Sequence, residues 1–201
     1  MKKLLVIVVF PIIILLLGYF IVVSISKPVR FNQELKKRED VAKERLIDIR
    51  TLQVAYKTKY GRFTSGLDTL IDFYKNGVLT IVRQIGSLDD SLAVAQKRIF
   101  RDSIKINVRD SLIKRPDFIV DSIRFIPFSG GQPFFMESVV RIVSGVPVPL
   151  FEAYAPYDFL LKGMDHQLIV NLKADRKAMN RYPGTKVGSI DAPNNNAGNW
   201  E

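Results

Sequence analysis

Residues 4–26 carry no charge and are dominated by Leu, Ile and Val. As a helix rising about 1.5 Å per residue, this run matches a bilayer hydrocarbon core of about 30 Å. Pro11 and Gly18 fall inside it, and both residue types are tolerated in membrane helices. Lys2 and Lys3 precede the run and Lys27 closes it. An uncleaved anchor is the expectation; the rival is a signal peptide cut after the small residues Ser24 and Ser26. From Phe31 to Tyr60 the pattern changes. Leu35, Ala42, Ile49 and Tyr56 recur every seven residues, and Leu46, Gln53 and Tyr60 form a second row. Steps of three and four along one stripe predict an amphipathic helix, with Lys37, Glu44 and Lys57 opposite. Gln53 and Glu39 interrupt the stripe, which favours packing against the chain's own next domain over a long two-stranded coiled coil. Pro28 marks the junction with the apolar run, as a break or a first-turn residue.

Lys59 and Gly61 read as the last-turn cation and the residue just past the helix end. Ser65-Gly66-Leu67-Asp68 resembles a capping box with Asp in the acceptor position. A short second helix follows, with Leu67, Leu70, Ile71 and Tyr74 apolar and Gly77 as its stop. Beyond it the periodicity shortens to two, first at Ile104, Ile106 and Val108. Further strand candidates are Ile119–Phe128, Phe134–Val143, Val146–Tyr154, Gln167–Leu172 and Thr185–Ile190, punctuated by Pro and Gly. Leu92–Phe100 and Ala174–Met179 read as short helices. The triplets Arg101-Asp102-Ser103, Arg109-Asp110-Ser111 and Val120-Asp121-Ser122 read as strand boundaries rather than as a repeat. The expected fold class is α+β: an N-terminal transmembrane helix, an amphipathic stem helix, then a β-rich, mainly antiparallel domain. The predicted boundaries are an anchor at 1–27, stem and second helix at 28–77, the β-rich domain at 78–190 and a polar tail at 191–201.

Composition narrows the chemistry. The 201 residues include no Cys and one His, which excludes a disulfide framework, a zinc ribbon, an iron–sulfur cluster and a thiol nucleophile. The net charge is +10, and it is graded along the chain. Residues 27–62 carry a net +6, residues 63–115 a net +3 and residues 116–201 a net −1. A basic excess beside an apolar run suits anionic lipid, whereas no basic patch interleaved with aromatics points to nucleic acid. The positive-inside rule taken literally keeps the domain in the cytoplasm. The short Lys-rich leader has the shape of an export signal, and export is the orientation adopted here.

Residues 44–73, "ERLIDIRTLQVAYKTKYGRFTSGLDTLIDF", resemble the stem of type II secretion pseudopilins and related type IV pilin-like proteins. The matching positions are Leu46, Ile49, Leu52, Tyr56, Tyr60, Gly61, Arg62, Leu67, Asp68 and Leu70. The resemblance is confined to the stem. A prepilin leader ends in Gly before a Phe-like residue and a Glu, whereas here Met1-Lys2-Lys3 leads into Leu4 and the apolar run holds no acid. The resemblance implies a bacterial envelope protein with a membrane helix continuing into its stem. It also draws attention to a calcium site in the tail, where Asp191, Asn194, Asn195, Asn196 and Glu201 are hard oxygen donors. The tail lacks the Asp density and Gly spacing of an EF-type loop, and a disordered or surface-draped segment is the expectation.

No nucleophile elbow, phosphate loop, dinucleotide fingerprint or zinc-protease motif is present. His166 stands beside Asp165 and is expected as a loop or edge residue after Gly163. Ser103 and Lys105, two apart on a strand, would share a face, as a Ser–Lys hydrolase requires. Asp89 and Asp90 read as caps. No catalytic, cofactor-binding or metal residue is therefore assigned, and no cofactor is expected. The expected function is that of a non-enzymatic, single-pass protein of the inner membrane, structural or interacting, pseudopilin-like in a secretion or assembly apparatus. Its expected partners are membrane lipid and an envelope protein. The alternatives are a membrane-tethered envelope enzyme and a membrane-anchored binding module.

Overall fold

The computed structural model of the chain describes residues 10–85 and 100–201. Its backbone is dominated by helix α1, Phe10–Tyr60, which runs without interruption for 51 residues. Pro28 lies inside it and neither breaks nor starts it. Side chains from Phe10 to Ile25 are bare of protein. From Phe31 onward one face is buried, through Leu35, Ala42, Leu46, Ile49, Leu52 and Tyr56. The predicted stripe is thus the face that packs on the following domain. Tyr60, assigned to the same stripe, lies half exposed at the end of the helix.

Gly61 takes φ +74 and donates its N–H to the Lys57 carbonyl, closing the helix as expected. Helix α2, Leu67–Asn76, follows and buries Leu70, Ile71, Phe73 and Tyr74. Its start differs from the predicted capping box. Gly66 is the N-cap and no side chain caps it; the Thr64 hydroxyl instead accepts from the Gly66 N–H. Asp68 is drawn away to Arg124.

Strands β1, Val78–Ile85, and β2, Phe100–Asn107, pair antiparallel as a separate ribbon. Val108 is fully buried and opens a one-turn helix, α3, Val108–Ser111, so the strand ends one residue before the alternation does. A 3₁₀ helix follows at Val120–Arg124. The main sheet has the order β3–β4–β5, all antiparallel: β3 is Phe135–Val143, β4 Val146–Pro156 and β5 Gly184–Gly188. Ser144 and Gly145, at φ +50 and +81, form the two-residue turn between β3 and β4, as a primed hairpin turn requires. Between β4 and β5 lie the short helix α4, Tyr157–Leu160, and helix α5, His166–Ala178. The fold is therefore a long apolar N-terminal helix followed by a small antiparallel-sheet domain, α+β as expected.

Two strand candidates are wholly or partly helical. Ile119–Phe128 is 3₁₀ helix over Val120–Arg124, which buries Ile123; Phe125 then turns extended and forms an isolated bridge with Pro133, ahead of the buried Ile126. Gln167–Leu172 lies inside α5, where Leu168, Ile169 and Leu172 meet the core and Val170 is exposed. Asp165 starts that helix by accepting from the Leu168 N–H. The predicted helix at Ala174–Met179 is the end of the same element. Residues 92–99 of the other predicted helix, and Asp89 and Asp90, lie outside the described residues, while Phe100 begins β2. The three Asp-Ser triplets are not strand boundaries of one kind: Arg101-Asp102-Ser103 lies near the start of β2, Arg109-Asp110-Ser111 in α3 just after it, and Val120-Asp121-Ser122 in the 3₁₀ helix.

Candidate functional site

The polar residues that interrupt the stem stripe each reach a distant part of the domain. Glu39 accepts a hydrogen bond of 2.5 Å from the Tyr157 hydroxyl, which α4 brings to α1. Arg176, from the last turn of α5, lies 3.8 Å from the same carboxylate, and Lys43, one turn along α1, lies 3.7 Å from it. Tyr157 is fully buried, and burial followed by its bond to Glu39 pushes its phenol far above the usual range. It therefore serves as a hydrogen-bond donor and not as a base. This cluster floors a cleft of about 580 Å³ walled by Arg181, Tyr182, Lys186 and Trp200. Burial, then the neighbouring Tyr154 and Glu152, also raises the Tyr182 phenol. Thr185 lines the cleft from β5, buried and with its hydroxyl unpaired.

A second cluster lies on the next turns of the stem. Asp48 is buried and receives Arg115 at 2.6 Å; Arg115 also meets Glu44. Burial and the Asp117 carboxylate push the Asp48 carboxyl up to about 6, against the pull of Arg45. Arg115, in direct contact, favours the ionised form. Arg45 donates to the Phe125 carbonyl at 2.6 Å, and burial lowers its own pKa. Farther along, Gln53 is wholly buried; its amide donates to the Thr64 carbonyl at 2.6 Å and accepts from the Thr64 N–H at 3.1 Å. Each interruption of the apolar stripe is thus a clamp onto a different part of the domain.

The tail is draped and pinned. Asn199 donates its N–H to the Lys186 carbonyl and accepts from the Lys186 N–H. Arg50 of the stem binds Glu201 at 2.6 Å and the Asn196 carbonyl at 3.3 Å. The tail's two carboxylates turn to different arginines, Glu201 to Arg50 and Asp191 to Arg141. Among the described residues no group of three or more His, Asp or Glu side chains is assembled for a metal.

The other residues singled out by sequence are dispersed. His166 is the first residue of α5 and exposed, so it is a helix-start residue rather than a loop or edge one. Ser103 and Lys105 share one face of β2, both exposed on the ribbon. Of the stem positions, Leu46, Ile49, Leu52 and Tyr56 are core, and the Tyr60 ring leans on Tyr56 and Phe73. Sequence reasoning missed Arg38, Arg115, Tyr157 and Arg176, because their partners lie tens of residues away. The one available signal was the pair of polar residues on the stripe. Comparison with family models, with curated proteins and with solved structures finds no match for this chain.

Proposed function

We infer that this is a single-pass membrane protein of the cell envelope, pilin-like in build, with a structural or interaction role and no chemistry of its own. The observation that carries this is α1: one unbroken helix, bare and apolar over its first part and the spine of the core over its second. A cleaved leader has no need of mechanical continuity with the folded domain, whereas an anchor that positions the domain does. The bare segment crosses the inner membrane, and the domain stands on its outer side. Carbonate washing of membranes tests the anchor: the full chain stays in the pellet, and a chain lacking residues 1–26 leaves it. Protease added to spheroplasts tests the side: digestion of the domain without detergent supports export, and full protection reverses it.

A binding-module role has its own supporting observation. The β3–β4 hairpin extends beyond β5, which pairs only with Glu152–Pro156 of β4. Val140, Ile142 and Val146 stand exposed near its tip, Ile142 at 78%. Loss of an envelope partner from crosslinked complexes on Ile142→Asp, with the fold intact, would favour this reading.

A further inference from the structure

This inference rests on the membrane reading above and concerns how close the folded domain comes to the lipid. The apolar run ends at Ser26, yet Phe31 is only 8% exposed and Leu35 only 9%, both in the same core as Leu160, Leu161 and Ile169. Five residues of helix advance about 7.5 Å. The head-group layer on each side of the hydrocarbon is about 6 Å deep. Helical side chains also lean toward the N-terminus, which lowers the Phe31 ring further. The protein groups that cover Phe31 are therefore level with the outer head groups, and no free stalk separates domain from bilayer.

The exposed groups at this end are mostly cationic. Lys27, Arg30, Lys36 and Lys37 stand out from α1. The domain adds Lys162 and Phe128, both fastened to the same stretch of helix. Arg38 bends toward the membrane to reach Glu34 at 2.9 Å and donates to the carbonyls of Leu160 and Lys162 at 3.3 and 3.0 Å. Its guanidinium also sits 4.8 Å from the centre of the Phe128 ring. The Lys162 ammonium in turn donates to the Ser129 carbonyl at 3.3 Å, joining the two loops. Phe128 has φ +62 and is 45% exposed, so a bulky residue is held in the left-handed region with its ring partly outward. The acids nearby are Glu34, which is paired, Asp165, which caps α5, and, farther along α1, Glu39 and Asp40, which face Lys43. Glu34 lies eight residues past Ser26, about 12 Å along the axis. That places these loops about 6 Å above the head groups, within a Debye length of about 8 Å at physiological salt. A helix tilt of about 20° brings the leaning side closer still.

We propose that residues 126–131 and 160–164 form an underside that faces the bilayer across a few ångströms, with the Phe128 ring extending toward the head-group layer and Lys162 and Arg30 drawing in anionic lipid. The domain is thereby held at a fixed attitude to the membrane. The chain has no cysteine, so nitroxide labels can be placed singly on Phe128→Cys, Lys162→Cys and Ile142→Cys in the full chain. Ile142 is the reference: it pairs with Pro147 at the opposite end of β4 from Tyr157, which meets Glu39, and lies beyond Phe151, which packs on Phe63 past the end of α1. Each protein is reconstituted in vesicles of phosphatidylcholine alone or with 30% phosphatidylglycerol, and accessibility to oxygen and to a water-soluble nickel chelate is read. In the anionic vesicles the labels at 128 and 162 should favour oxygen over the chelate at least threefold more than the label at 142. The ratio at 128 should fall in 1 M salt and with Arg30→Glu plus Lys162→Glu. Equal accessibility at 128, 162 and 142, in a chain that resists carbonate extraction, overturns the seating and leaves the anchor standing. The same oxygen preference in both lipids overturns the anionic recognition. Release of the chain by carbonate overturns the membrane reading together with the inference.

Discussion

Asp48 is a carboxylate placed where its charge is opposed by burial and by Asp117. Because its folded pKa is raised to about 6 from 3.8, the native state holds a proton that the unfolded chain releases first. The stability this contributes is present below about pH 4 and is lost as the pH rises through 6. The ceiling is about 3 kcal/mol for a rise of this size, trimmed by the charge of Arg115 and by the solvent that still reaches the pair. The wild-type melting temperature should therefore fall between pH 4 and pH 7 by more than that of Asp48→Asn. Parallel thermal profiles for the two proteins would remove Asp48 from the account. Gln53 makes the opposite case, a buried polar group whose bonds are all made. Gln53→Leu adds apolar surface but strips the Thr64 N–H and carbonyl of their partner. Unpaired buried groups cost about 1–3 kcal/mol each, so Leu should lower the melting temperature; a neutral or higher value would refute the clamp.

At the scale of elements, α1 was legible because its burial repeats at the helical period over about seven turns, from Phe31 to Tyr56. Ile49, fully buried, should cost about 2–5 kcal/mol when cut to Ala. At about 3 °C per kcal/mol for a domain of this size, Ile49→Ala should melt roughly 10 °C lower, and Lys57→Ala close to wild type. Equal and negligible changes would make the stem a free stalk. The hairpin and β5 were legible for a different reason, as short runs rich in β-branched residues and punctuated by Gly and Pro, since burial in β3 and β5 does not alternate. The 3₁₀ segment and α5 were not, since Val170 alternates with Leu168 and Leu172 yet faces outward, and only the Asp165 cap gives the helix away. For the polar clusters the limit is different. Glu39 and Gln53 were visible as faults in the stripe, but their meaning depends on Tyr157 and Thr64. No periodicity in a sequence says which distant donor a fold will deliver to such a fault.

At the scale of the molecule, the stem is part of the domain rather than an addition to it. One continuous core joins Phe31, Leu46 and Tyr56 of α1 to Phe73, Phe151, Leu161 and Val187. Polar links cross the same boundary at intervals: Arg38 to the Leu160 and Lys162 carbonyls, Arg45 to Phe125, Asp48 to Arg115 and Arg50 to Glu201. Removing the stem would expose the apolar faces of α2, α4 and β4 together and leave Arg115 and Tyr157 without their acidic partners. Fully burying one large apolar side chain contributes about 1.5–3 kcal/mol, and the stem supplies at least Leu46, Ile49 and Leu52 fully buried. That is comparable with the whole net stability of an ordinary domain, about 5–15 kcal/mol. A chain beginning at Lys27 should therefore fold cooperatively, with one sharp thermal transition and dispersed amide resonances. A chain beginning at Phe63 should show neither, and should bind a dye specific for exposed apolar surface. Cooperative melting of the shorter chain would mean that the sheet and its helices form a domain by themselves, with the stem merely laid against it.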